Sequence, residues 1–218
     1  MWVYIHTDEW VATESTKAYY PITSITTVNN EAWSSVPLIN VNNVSFGSVW
    51  GVDCATFNWW NVLWRSGSSN SIGTISVWIY VTDNTWWTFM AYQSNNSNYP
   101  TGITVSVVWD RTIRLLLIYS NSTRQLNSAT WIATNWWHNI VVVYWNGSKL
   151  YVDNTLQASH TDTTTGSSNS FVIWWGMSGN PYSSFNWSVS NVIWYNWERD
   201  ANYISYYYNW IKNKYWIS

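Results

Sequence analysis

Short apolar runs of alternating pattern, separated by stretches rich in Ser, Thr and Asn, recur along the chain. The clearest covers residues 74–81. There Ile75, Val77, Ile79 and Val81 fall on one face and Thr74, Ser76, Trp78 and Tyr80 on the other. A period of two marks a strand with one face against a core. The same reading places strands at 88–92, 103–108, 114–119, 139–144, 149–152, 171–173 and 188–195. Short strands at this spacing, with turn residues between them, predict a sandwich or barrel. A helical pattern is best developed at 199–208, with Asp200 placed to cap it.

The sharpest local unit spans residues 139–156. Asn146-Gly147 turns the chain between Ile140-Val141-Val142-Val143 and Lys149-Leu150-Tyr151-Val152, which predicts a hairpin. Val152-Asp153-Asn154 reads as a second tight turn, because Asn and Asp tolerate a left-handed backbone better than other side chains.

Length and composition narrow the class. A chain of 218 residues is long enough to bury a core and is most simply one all-β domain. Charged residues make up only 9%, against roughly 25% on average. The formal net charge is −2 and the nine Lys and Arg are scattered singly, which excludes the clustered basic face that nucleic acid needs. No stretch has the apolar length of a membrane span. Residues 1–17 carry Asp8, Glu9 and Glu14 with no basic-then-apolar order, so they do not read as a signal peptide. Cys54 is the only cysteine and reads as a small buried hydrophobe.

From the hairpin outward, the sequence resembles the concanavalin A-like, laminin-G-like jelly-roll family. Trp137-His138-Asn139-Ile140 and Leu150-Tyr151-Val152-Asp153-Asn154 are similar to its Trp-His strand opening and its Leu-Tyr-Val-Asp-Gly turn. Ala18-Tyr19-Tyr20-Pro21, Ala55-Thr56-Phe57-Asn58 and Ile75-Ser76-Val77-Trp78-Ile79 resemble three further strands, in the family's order. Phe185-Asn186-Trp187-Ser188-Val189-Ser190-Asn191-Val192-Ile193 resembles its last strand, Phe-x-Gly-x-Ile-Asp-Glu-Val-x-Ile-Tyr. The resemblance implies an all-β, two-sheet antiparallel jelly-roll sandwich with a short C-terminal helix, spanning residues 17–212. Residues 1–16 are then a tail or the end of a preceding segment, and 213–218 a C-terminal tail. It also implies structural roles for Trp78, Trp137, His138, Asn146, Gly147 and Asp153.

Tryptophan is the compositional anomaly, at 22 positions against nine glycines. Asn-Trp occurs at Asn58-Trp59, Asn135-Trp136, Asn186-Trp187, Asn196-Trp197 and Asn209-Trp210. Asn-Gly, the usual hairpin turn, occurs only at Asn146-Gly147. Trp59, Trp174, Trp175 and Trp187 stand where the resembled family has glycine. Two expectations compete. Either the indoles are stacking platforms for sugar rings, or many are UGA codons that the source cell reads as glycine, placed at positive-φ turns.

Chemistry is sparse. The glucanases of this fold carry Glu-x-Asp-x-x-Glu on one strand, and none of the eleven carboxylates here forms that motif. His6, His138 and His160 lack transition-metal spacing. The family's frequent structural calcium leaves only weak candidates in Asp53, Asp83 and Asp110, since its usual acidic pair is replaced by Ser190-Asn191. Arg65, Tyr92, Asn95, Tyr99 and Tyr182 are the ligand-binding candidates, expected in exposed loops. The expected function is a non-catalytic carbohydrate- or surface-recognition module of an exported or phage-borne protein. Its location would be extracellular, on a cell surface or on a virion, and its partner a glycan or a cell-surface or virion protein. A structural or protein-interaction module and an atypical glycoside hydrolase are the alternatives.

Overall fold

The computed structural model describes residues 16–20, 39–41, 44–57, 62–66, 73–82, 87–93, 102–108, 110–119, 122–132, 135–144, 147–161, 170–175, 187–195 and 197–215. The strands are β1 (Thr16–Tyr20), β2 (Ile39–Val41), β3 (Ser45–Val49), β4 (Val52–Phe57), β5 (Val62–Ser66), β6 (Thr74–Val81), β7 (Trp87–Gln93) and β8 (Gly102–Val107). They continue as β9 (Ile113–Tyr119), β10 (Ser122–Asn127), β11 (Trp137–Val143), β12 (Ser148–Val152), β13 (Thr155–His160), β14 (Ser170–Trp175) and β15 (Trp187–Tyr195). The helix α1 (Ala201–Ile211) and a 3-10 turn, Lys212–Tyr215, follow.

The described strands form two antiparallel sheets. The first runs β13-β12-β11-β6-β15-β4-β3, with β1 also paired to β15; the second runs β10-β9-β8-β7-β14-β5-β2. This is the expected two-sheet sandwich. Ile75, Val77, Ile79 and Val81 of β6 meet Ile103, Val105 and Val107 of β8 and Leu115 and Leu117 of β9 in one core between the sheets. The face of β6 expected to be polar is buried as well. Trp78 packs with Trp137, Ile193, Tyr195, Tyr207, Tyr208 and Tyr215 in a second core, beneath α1 and the 3-10 turn. Its indole lies 3.8 Å from the Tyr215 ring, nearly parallel at 3°, and 5.9 Å from Tyr208.

The helix is anchored at both ends. Asp200 caps it, its carboxylate accepting from the Tyr203 N–H at 2.7 Å. Ahead of the cap, the Arg199 N–H donates to the Thr74 hydroxyl at 2.8 Å and Lys149 pairs with Glu198 at 2.9 Å. Gly73 is required here: a Cβ would sit 1.9 Å from the Trp197 carbonyl carbon. At the far end Tyr215 reaches back to β15. Asn191 stands there at φ +43, in a bulge between Ser190 and Val192 that shifts the inward-facing register from Val189 to Val192. The Asn191 side-chain N–H donates to the Tyr215 hydroxyl at 2.6 Å, which donates to Ser190 Oγ at 3.1 Å. The positions of the family's acidic pair are thus buried under a tyrosine.

The hairpin β11–β12 pairs Val143 with Lys149, and Gly147 lies at φ +88; Asn146 is outside the described residues. Asp153 and Asn154 form the second turn at φ +48 and +66. The Asp153 carboxylate accepts from the Asn139 N–H at 2.8 Å and lies 2.6 Å from His138 Nδ1, so His138 ties the turn to β11.

Candidate functional site

Two of the five ligand candidates are among the described residues, and neither lies in a loop. Arg65 and Tyr92 belong to strands, β5 and β7, and both lie in register with Phe171 of β14. The loop expectation fails because β14 pairs on both sides and draws two short, partly polar segments into the sheet. Asn95, Tyr99 and Tyr182 lie outside the described residues, as does Asp83. Asp53 lies on β4 and Asp110 in the β8–β9 turn. Hydrogen bonds from Thr112 hold the Asp110 carboxyl below its ordinary range, which is turn capping. Among the described residues no three His, Cys, Asp or Glu side chains come close enough to hold a metal. Cys54 is fully buried and its thiol is pushed up, chiefly by that burial, so it is a poor nucleophile.

The described residues do assemble one aromatic surface, from four separate segments. The β3–β4 turn brings Trp50, β6 brings Tyr80, the entry to β11 brings Trp136 and Trp137, and the 3-10 turn brings Tyr215. Trp50 and Trp136 meet edge to face at 5.2 Å, and the Trp50 Nε1–H donates to the Tyr80 hydroxyl at 3.3 Å. Behind them Trp137 touches Tyr80 at 5.7 Å and Tyr215 at 5.3 Å, and its own Nε1–H donates to the Val49 carbonyl at 3.3 Å. These five rings line a recess of about 160 Å³ including its open mouth, with no charged group among them. Enclosing pockets for small ligands run from about 300 Å³ upward. This one is too shallow to engulf a ligand; Trp137 and Tyr215 form its buried floor, and Trp50 and Trp136 its exposed rim.

Apart from Trp210, partly buried on α1, the tryptophans with described side chains divide by element. Trp78, Trp137, Trp187 and Trp194 lie in strands and are almost fully buried; Trp187 stacks on Phe57 at 4.6 Å. Trp50, Trp131, Trp136 and Trp197 lie in turns or bends and are 57%, 62%, 36% and 64% exposed. The expectation that Asn-Trp marks positive-φ turns is not met at the described pairs. Trp187 opens β15 and Trp210 lies within α1, while Trp136 and Trp197 have ordinary φ. Trp174 and Trp175 are extended in β14, and Trp59 lies outside the described residues. Among the described residues the positive-φ tryptophans are two others, Trp50 at +57 and Trp131 at +60. The missed signal for Trp50 was the Gly51 after it, which completes a two-residue hairpin turn at φ +77.

Neither a family model nor a curated protein matches the chain. Solved structures do. A structure of botulinum neurotoxin type C, whose cell entry depends on interaction with two ganglioside molecules, is similar over 93% of this chain and 52% of that one, at 12% identity and TM-score 0.74. The shared feature is the sandwich. The botulinum neurotoxin serotype D binding domain matches over 89% of this chain and 51% of its own, at 13% identity and TM-score 0.72. The binding domain of botulinum neurotoxin DC in complex with SialylT matches over 90% and 51%, at 14% identity and TM-score 0.72. The chain spans about half the length of each, and at such identity the likeness is one of fold.

Proposed function

We propose that the chain is a non-catalytic carbohydrate-recognition module of an exported or phage-borne surface protein, built on the concanavalin A-like, laminin-G-like sandwich. The observation that carries this reading is the fold likeness, over nine-tenths of the chain, to botulinum neurotoxin type C, whose cell entry depends on two ganglioside molecules, and to a neurotoxin binding domain in complex with SialylT. Fold alone does not fix function. The second support is chemical: partly exposed Tyr80 belongs to an uncharged aromatic cluster, a kind of surface that suits the apolar face of a sugar. Such a contact is shallow and shape-dependent, and salt has little to screen in it.

The test is a glycan array probed with the purified chain at low and high ionic strength. Binding that survives salt and is lost in Tyr80→Ala, with the circular-dichroism spectrum unchanged, supports the reading. Silence across the array overturns it in favour of a protein-interaction module. Release of free sugar from a bound glycan would overturn the non-catalytic part.

A further inference from the structure

The exposed tryptophans share a feature that a binding role does not explain. Among the described residues all four sit outside strands and helices, in turns or bends, and two of them, Trp50 and Trp131, sit at positive φ. Trp50 is the first central residue of the two-residue β3–β4 hairpin, flanked by the Val49–Val52 pair. Such turns take Asn, Asp or Gly at both centres because a bulky Cβ crowds the backbone at positive φ. Trp131 follows Thr130 in the connection from β10 to β11, and its backbone N–H donates to the Asp110 carbonyl at 2.8 Å. Its indole is 62% exposed and has one long contact, with the Arg111 guanidinium 6.0 Å from the ring centre. Trp136 and Trp197 have ordinary φ, but each lies in an exposed bend after an asparagine, where glycine would serve the backbone equally well. The buried strand tryptophans are the opposite case: Trp78 and Trp137 fill space that nothing smaller would fill.

We infer that residues 50, 131, 136 and 197 are glycine in the protein its own cell makes, encoded by UGA, while Trp78 and Trp137 are tryptophan encoded by UGG. UGA is read as tryptophan under some genetic codes and as glycine under others. A chain with nine glycines in a turn-rich sandwich then recovers ordinary turn chemistry. The inference changes the candidate site, a consequence that rests on the carbohydrate reading. Without the indoles of Trp50 and Trp136 the recess loses its rim, and the rings of Tyr80 and Trp137 become the open surface that a sugar meets.

The experiment is peptide mass spectrometry on the protein purified from its own cells, read alongside the gene. Glycine masses at all four turn positions, with UGA codons, and tryptophan masses at Trp78 and Trp137 are expected. A tryptophan mass or a UGG codon at Trp50 or Trp131 overturns the inference, as does a glycine mass at Trp78. The glycan consequence is read separately, on the array, in the Trp50→Gly/Trp136→Gly background. Adding Tyr80→Ala is expected to lower binding at least tenfold. No change on adding it would overturn the open-surface consequence while leaving the peptide masses to decide residue identity.

Discussion

Trp137 and Trp136 are neighbours in sequence and belong to different environments. Trp137 points into the layer between the first sheet and α1, with Tyr80 and Tyr215 against it and a hydrogen bond to Val49. Trp136 edges onto Trp50 at the mouth of the recess and is partly exposed. The same contrast separates the whole second core, Trp78 with Tyr208 and Tyr215, from the turns that carry Trp50 and Trp131. Residue type does not decide the role of these indoles; the element that carries each one does. In the strands the side chain fills the core, and in the turns it makes only surface contacts such as Trp50 with Tyr80 and Trp136.

The contrast can be broken most forcefully at Trp137. Trp137→Ala removes a buried indole and is expected to cost about 3–5 kcal/mol in chemical denaturation; a loss below about 1 kcal/mol would show that the layer under the helix does little. A finer probe is Tyr215→Phe, which leaves the ring stacked on Trp78 and deletes the hydroxyl shared by Asn191 and Ser190. Both partners are buried, so about 1–3 kcal/mol should be lost. Asp200→Ala removes the helix cap for about 1 kcal/mol, with the loss confined to the helix end in amide exchange. The smallest effect at neutral pH concerns Tyr208. Burial, with the Asp153 charge adding to it, pushes its phenol up to about 12 from an ordinary value of 10.0. The folded state then holds this proton more tightly than the unfolded state. That contribution is complete below pH 10 and is lost as pH rises from there through about 12. An ultraviolet titration showing every tyrosine ionising near pH 10 would contradict the burial.

The sandwich was legible because β6, β8, β9 and β11 announce themselves by alternation or unbroken apolar runs, and because the hairpin turns and the Asp200 cap carry specific residue chemistry. The edge strands β10 and β13 were not, since Ser122-Thr123-Arg124-Gln125 and Gln157-Ala158-Ser159-His160 are too polar to show a period. The outer face of β6 looked solvent-facing because Thr74, Ser76 and Tyr80 are polar; only the docking of α1 reveals a second core. The register change at Asn191 is invisible in sequence, since a bulge leaves the residue string unchanged. The aromatic recess was illegible for another reason. Its rings come from positions 50, 80, 136, 137 and 215, and only the pairing of β3, β6 and β11 with the return of the C-terminus brings them together.

One substitution, made at two sites, weighs strand indoles against turn indoles on the same scale: Trp78→Gly and Trp131→Gly, compared by denaturant midpoint. Trp78→Gly should lower stability by more than about 3 kcal/mol or prevent folding, because it empties a buried site. Trp131→Gly should leave the midpoint unchanged or raise it, because glycine relieves a positive-φ position worth about 1–2 kcal/mol. Equal losses at both sites would contradict the division of the tryptophans by element.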